Sequence, residues 1–159
     1  MSEVQIPAVG SPAPDFSRPA TGGRDISLSD FVGKQPVVVY FYPRDNTSGC
    51  TKEACSFRDL TPEFAKRGVA VIGVSPDSLK SHEKFAGKHD LSFPLLADED
   101  AKMSTSYGAY REKSMYGRKY MGIVRSTFVI GEDGLVKAVF PNVRVPGHVE
   151  RVLEAIDGD

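Results

Sequence analysis

Two cysteines, Cys50 and Cys55, are the only thiols in the 159 residues. The first has the setting of a reactive one. Cys50 follows the run Pro36-Val37-Val38-Val39-Tyr40-Phe41-Tyr42, which reads as a buried strand ended by Pro43, and then a polar loop over 44–49. It opens an expected helix. In open α/β sheets, ligand sites lie beyond the carboxyl ends of strands, and a helix N-terminus favours negative charge through its free N–H groups and dipole. A thiol of pKa about 8.5 is only about 3% ionised at pH 7, whereas one lowered to about 6 is about 90% thiolate. That gain of roughly 30-fold, about 2 kcal/mol, does not make a fast enzyme alone; oriented donors must supply the rest. The neighbours Thr47, Ser48, Gly49 and Thr51 are polar or small. They favour a reactive thiol over the alternative, a small buried core residue.

Cys55 lies five residues on. Zinc sites use C-x₂₋₄-C with two further ligands, and this spacing fits poorly, with only His82, His89 and His148 left as donors. A thioredoxin-type C-x-x-C is absent. A redox pair is constrained by geometry: residues i and i+5 of an intact helix have Cα atoms about 8.6 Å apart, whereas a disulfide needs about 4.4–6.8 Å. Cys50 and Cys55 can therefore bond only if the first turns of the helix unwind. The alternative for Cys55 is an inward-facing core position.

The elements that must position these thiols follow from pattern. Residues 1–25 are rich in Pro and Gly and read as extended chain with turns. Ser29-Asp30-Phe31 suggests a short helical turn. Helical spacing of Phe57, Leu60 and Phe64 predicts a helix over 50–66, kinked or restarted at Pro62. Strands are expected at 69–74 and 93–96, and a helix at 78–89. Asp98 or Asp100 should cap a helix over 101–107. Residues 109–122, with three tyrosines and five charges, read as a loop. Gly131-Glu132-Asp133-Gly134 marks a hairpin joining 125–130 to 134–140, and Val149, Val152, Leu153 and Ile156 share one face of a last helix. Alternating strands and helices followed by a hairpin predict a mixed sheet in one domain spanning 1–159.

Composition excludes several classes. Apolar residues make up 40% and charged ones 26%, and 20 basic against 21 acidic side chains leave a net charge of −1, so nothing draws the chain generally to nucleic acid or anionic membrane. No apolar run reaches about 18 residues, the length of a membrane span, and the N-terminus lacks a secretory pattern. The expected compartment is the cytoplasm. Tyr107, Tyr110, Tyr116 and Tyr120 interleave with Arg111, Lys113, Arg118 and Lys119, but a solvated loop explains them better than nucleic-acid binding. Asp98-Glu99-Asp100 reads as a capping cluster rather than a calcium site. The three histidines lie outside the cysteine motif and receive no role.

The segment from Phe41 to Cys55, FYPRDNTSGCTKEAC, resembles the active-site segment of peroxiredoxins, with P-x-x-x-T-x-x-C as Pro43, Thr47 and Cys50. The C-T-x-E-x-C frame is similar to the bacterioferritin-comigratory-protein branch, also called peroxiredoxin Q. Gly10 to Phe16, Leu28 to Phe31, Lys113 to Gly122 and Arg125-Ser126-Thr127-Phe128 extend the resemblance over nearly the whole chain. It implies a thioredoxin fold (α/β, mixed central sheet flanked by helices) with a peroxiredoxin-type N-terminal extension. It implies Cys50 as the peroxidatic cysteine, Thr47 holding the peroxide oxygens, Gly49 in the substrate site, and Pro43 shielding the loop. Arg125 would sit against the thiolate, Cys55 would resolve the sulfenic acid through an intramolecular disulfide, and Glu53 would orient an arginine. No metal or prosthetic group is implied. The reductant would be thioredoxin, with glutaredoxin the second choice, and intramolecular resolution favours a monomer. The implied activity is reduction of hydrogen peroxide and organic hydroperoxides. The competing classes are a redox-sensing relay or holdase, which would stop near one equivalent of peroxide, and a general disulfide oxidoreductase.

Overall fold

The computed structural model describes residues 5–158. Its centre is β3 (Val37–Phe41), buried at every position. Strand alternation sends Val37, Val39 and Phe41 to one face and Val38, Tyr40 and Tyr42 to the other, and two apolar clusters form on these two faces. β3 pairs parallel with β4 (Ala70–Ser75) and antiparallel with β8 (Ser126–Ile130). β5 (Leu95–Ala97) lies parallel to β4, and β9 (Val136–Phe140) closes the far side as the hairpin partner of β8. The expected mixed sheet is present.

Two segments are more ordered than their sequence suggests. Within 5–25, β1 (Ser17–Ala20) forms a hairpin with β2 (Arg24–Ser27) and meets β5 at Ala20 and Leu96, giving the order β2-β1-β5-β4-β3-β8-β9. Gly22 and Gly23, at φ of +90° and +72°, supply the left-handed turn that this hairpin needs. The first four residues of the extended reading lie outside the described residues. The second correction concerns 109–122. It is not a loop but a two-stranded antiparallel ribbon, β6 (Tyr110–Met115) and β7 (Arg118–Ile123). Its turn, Tyr116-Gly117, has positive φ at both positions, the geometry of a tight hairpin. Most of the ribbon is exposed, so no apolar alternation betrayed it.

Helices α1 (Ser48–Asp59), α2 (Thr61–Lys66), α3 (Leu79–His89) and α5 (His148–Asp157) contribute Phe57, Phe64, Phe85 and Val152 to the cluster around Tyr40 and Tyr42. The helix expected over 50–66 begins two residues earlier and restarts after Leu60, with Pro62 in the first turn of α2. Phe57 stacks on Tyr40 with ring centroids 4.6 Å apart, which seats α1 on the central strand. Gly73 leaves room for that stack, since a Cβ there would lie 2.8 Å from both Tyr40 and Leu95.

The short α4 (Lys102–Ser106) is capped from a distance. Asp98, fully buried, accepts from the N–H groups of Met103 and Ser104 and from the Ser104 hydroxyl, while Asp100 accepts from Lys102. Asp98→Ala should lose about 2–4 kcal/mol of stability in urea unfolding, because three buried donors lose their acceptor. Asp100→Ala should lose clearly less; equal losses would contradict this assignment.

Candidate active site

Strand register brings the site together. Ser126 of β8 stands opposite Phe41 of β3, so Arg125 enters beside the chain leaving β3. That chain turns at Pro43 and starts α1 after Thr47, which places Cys50 in the first turn, 1% exposed. By helix geometry the first N–H groups, those of Ser48, Gly49 and Cys50, have no carbonyl one turn back to bond. The Arg125 guanidinium spans two partners: Nη2 donates to Cys50 Sγ at 3.3 Å, and Nη1 donates to Glu53 Oε1 at 2.6 Å. Cys50 and Glu53, three apart, share a helix face.

This arrangement depends on burial. Glu53 is fully buried, and burial pushes its carboxyl up to about 7 despite the opposing pull of Arg125. Glu53 Oε2 has no hydrogen-bond partner among the described residues, so its hold on the protein is the guanidinium. Burial works against the charged form of Arg125, but Glu53 and Cys50 outweigh it and hold the guanidinium above its ordinary value. A cation donating to sulfur stabilises the thiolate over the thiol. Gly49 matters here for a steric reason: a Cβ would sit 3.1 Å from Arg125 Nη2.

Thr47 and Pro43, both half-buried, line a cleft of about 440 Å³ with Tyr110, Lys113, Tyr120 and Met121. Thr47 Oγ1 donates to the Arg44 carbonyl at 3.0 Å, which leaves the hydroxyl oxygen able to accept. Cys55, half-buried, sits on the same unbroken α1, and both cysteines are free thiols. Their separation is thus that of the intact helix, too long for a disulfide.

Sequence reasoning missed His82, Asp45 and His148. His82 and Asp45 are buried and pair at 2.8 Å between Nδ1 and Oδ2. Asp45 lies inside the cysteine motif, but its partner is 37 residues away, a separation no local spacing reveals. His148 Nε2 lies 2.8 Å from the Thr127 hydroxyl, and burial pushes the ring down to about 4, so it is neutral at pH 7. Among the described residues no helix is long and apolar enough to cross a membrane.

Comparison with known proteins agrees with this geometry. Residues 9–139 match the AhpC/TSA family. The chain is 48% identical over 145 residues to a putative peroxiredoxin bcp of Coxiella burnetii, covering 91% of this chain and 95% of that one. It is 43% identical over 144 residues to peroxiredoxin Bcp of Escherichia coli, covering 91% and 92%. A crystal structure of a cysteine-to-serine mutant of PrxQ from Xylella fastidiosa superposes with a TM-score of 0.90 at 36% identity, covering 97% and 98%. A Xanthomonas campestris bacterioferritin comigratory protein, studied for alkyl peroxide reduction in a trapped intermediate/ligand complex, gives 0.85 at 39% over 90% of both chains. The chain belongs to the AhpC/TSA family. Within it, the chain is a peroxiredoxin of the Bcp/peroxiredoxin Q branch, a thiol-dependent peroxidase with the thioredoxin fold.

Two substitutions probe the guanidinium. Arg125→Met strands Glu53 as an uncompensated buried acid, which costs about 3–5 kcal/mol when it is charged. With Arg125 present the carboxyl titrates near 4.5 unfolded and about 7 folded, and losing the guanidinium that pulls it down raises the folded value further. The folded state therefore keeps the proton longer, and stability falls as pH rises through that window. Both proteins lose stability alike up to about pH 7, so the deficit of Arg125→Met should stay small there, open above pH 7 where only the variant goes on losing stability, and shrink again when Glu53→Gln is added. A pH-independent deficit in urea unfolding would contradict the pairing. Gly49→Ala should displace the guanidinium and slow oxidation of Cys50 by peroxide about tenfold, while thermal unfolding moves little.

Proposed function

We propose that Cys50 is the peroxidatic and Cys55 the resolving cysteine of a thioredoxin-dependent cycle acting on hydrogen peroxide and organic hydroperoxides. The observation that carries this reading is the Arg125 guanidinium donating to Cys50 Sγ at 3.3 Å; Pro43 and Thr47, on the chain that leads into α1, line a separate cleft. The thiolate attacks the terminal peroxide oxygen. An S–O bond forms as the O–O bond breaks, and the departing alkoxide or hydroxide takes up the peroxide proton. Charge thus moves from sulfur to oxygen. Arg125 and the N–H groups at the start of α1 stabilise that charge without reorganising. Thr47 positions the peroxide oxygens, and Pro43 keeps water from the loop. Glu53 orients the guanidinium through the 2.6 Å bond.

Cys50 leaves this step as a sulfenate, which takes a proton from solvent to become the sulfenic acid. The Cys55 sulfur then attacks it, an S–S bond forms, and water departs. A second peroxide competes by driving the sulfenic acid to sulfinic acid, which is largely irreversible, so the unwinding of α1 sets the outcome. A dithiol reductant returns both thiols by exchange; thioredoxin is the reading, with glutaredoxin second. Electrons pass from sulfur to peroxide as a pair, so the cycle calls for neither metal nor prosthetic group. The relative's alkyl peroxide reduction supports organic hydroperoxides as substrates. Because resolution is intramolecular, a monomer suffices, and the cytoplasm supplies the reductant.

The test is NADPH-linked peroxide consumption with thioredoxin and thioredoxin reductase. Wild type should turn over many times and Cys50→Ser not at all. Cys55→Ser should reduce about one equivalent and stop. Sustained turnover by Cys55→Ser would remove Cys55 from the cycle.

A further inference from the structure

The loop carrying Pro43 and Thr47 is held by a buried polar cluster that the cycle above leaves without a role. Its anchors converge on Asp45, midway between those two residues. The Asp45 N–H donates to Asp77 Oδ2 at 2.8 Å. Its carboxylate accepts from the Tyr42 hydroxyl at 2.6 Å, from the Ser81 hydroxyl at 2.8 Å and from His82 Nδ1 at 2.8 Å. Asp77 is itself fixed by the Ser75 hydroxyl at 2.6 Å. The other nitrogen of His82, Nε2, lies 2.9 Å from the Leu96 carbonyl. A carbonyl only accepts, so Nε2 carries a hydrogen. Burial would push the Asp45 carboxyl up, but the bonds from His82, Tyr42 and Ser81 hold it below its ordinary value. Nδ1 lies within hydrogen-bond distance of that carboxylate. The ring thus bridges Asp45 to β5.

The loop needs such a hold. Asn46, next to Asp45, sits at φ +65°, a left-handed conformation that non-glycine residues adopt at a cost. Thr47 follows directly, and its hydroxyl donates to Arg44 on the other side of Asp45. The cluster is not a cation site, although Asp45, Asp77 and His82 bring three ligand atoms within 4.8 Å of one another. Tyr42, Ser81 and His82 already fill both carboxylate oxygens of Asp45, and a cation would displace these donors.

We propose that His82 is a positioning residue for the peroxide step: bonded to Asp45 and Leu96, it fixes the loop that carries Pro43 and Thr47 into the start of α1, where Cys50 lies. This rests on the reading of Cys50 as the peroxidatic cysteine. Arg125 reaches Cys50 from the residue before β8, outside the loop, so loss of the latch impairs placement of peroxide and leaves the sulfur's own reactivity in place. Two reactions of one thiol separate these effects. Peroxide needs Thr47 and Pro43 in place, whereas a small alkylating agent such as iodoacetamide does not.

The experiment measures both rates for Cys50 in the Cys55→Ser background, comparing His82→Gln, His82→Asn and Asp77→Ala. The asparagine amide matches Nδ1 and keeps the bond to Asp45; the glutamine amide matches Nε2 and loses it. His82→Gln and Asp77→Ala should slow the peroxide reaction about 10–100-fold with alkylation within about twofold of the parent, and His82→Asn should recover most of the peroxide rate. An unchanged peroxide rate in folded His82→Gln would overturn the proposal, as would parallel loss of both rates or equal impairment by Asn and Gln. If the His82 variants do not fold, the half-buried Asp77→Ala decides alone: selective loss of the peroxide rate supports the latch, and any other result overturns it. A parent protein whose Cys50 reacts with peroxide no faster than a free thiol would instead sink the reading on which the proposal rests.

Discussion

One guanidinium, shared between a sulfur and a buried carboxylate, is the constraint around which this chain is arranged. Arg125 can meet Cys50 and Glu53 together only if α1 is helical, because helical turn alone puts residues 50 and 53 on one face. It can reach them only if β8 lies beside β3 in the observed register, with Ser126 opposite Phe41. It has room only because position 49 lacks a side chain. A buried ion pair of this kind contributes little net stability against an apolar replacement, yet losing one partner is costly. Its presence is therefore better explained by what it does to the sulfur than by what it does for the fold.

The same helix that builds the site prevents its second step. Cys50 and Cys55 on unbroken α1 are too far apart to bond, so in the proposed cycle the oxidation of Cys50 and its resolution by Cys55 need different local structures. The fold limits how much must change. α1 and α2 are separate helices joined at Leu60, and α2 is held by Phe64 in the core and by the Arg67–Asp157 ion pair to α5 at 2.6 Å. Unwinding the first turns of α1 leaves those anchors untouched. What opposes it is the burial of Cys50, Glu53 and Ala54, together with the guanidinium bond itself.

Much of this was legible in the sequence, for identifiable reasons. The buried strand Val37–Phe41 is an unbroken run of β-branched and aromatic residues, the restart at Pro62 follows from its missing N–H, and the helix start near Cys50 follows the polar loop after Pro43. All are local signals. The ribbon over 110–123 was missed because its side chains mostly face water, so period-two burial leaves no trace, and Tyr116 at positive φ is an unusual turn residue. The hairpin of β1 and β2 was hidden by its shortness and by Pro19 within it. The thiol and its polar neighbours could be read from one short segment, whereas Thr47, Glu53 and Arg125 received roles only from the resemblance, and Arg125 on its own was an ordinary strand arginine. His82 had no such help: its bond to Asp45 joins α3 to the active-site loop, and tertiary pairing of this kind has no sequence period.

The central claim is that an intact α1 makes the reactive thiolate and must open to form the disulfide. Amide hydrogen exchange across 48–59, compared between the fully reduced protein and the protein oxidised with one equivalent of peroxide, tests it most directly. The account predicts protected amides at 51–56 in the reduced state and lost protection there once Cys50 and Cys55 are bonded, with α2 and β3 protected in both. A Cys50–Cys55 disulfide accompanied by unchanged protection across α1 would contradict it.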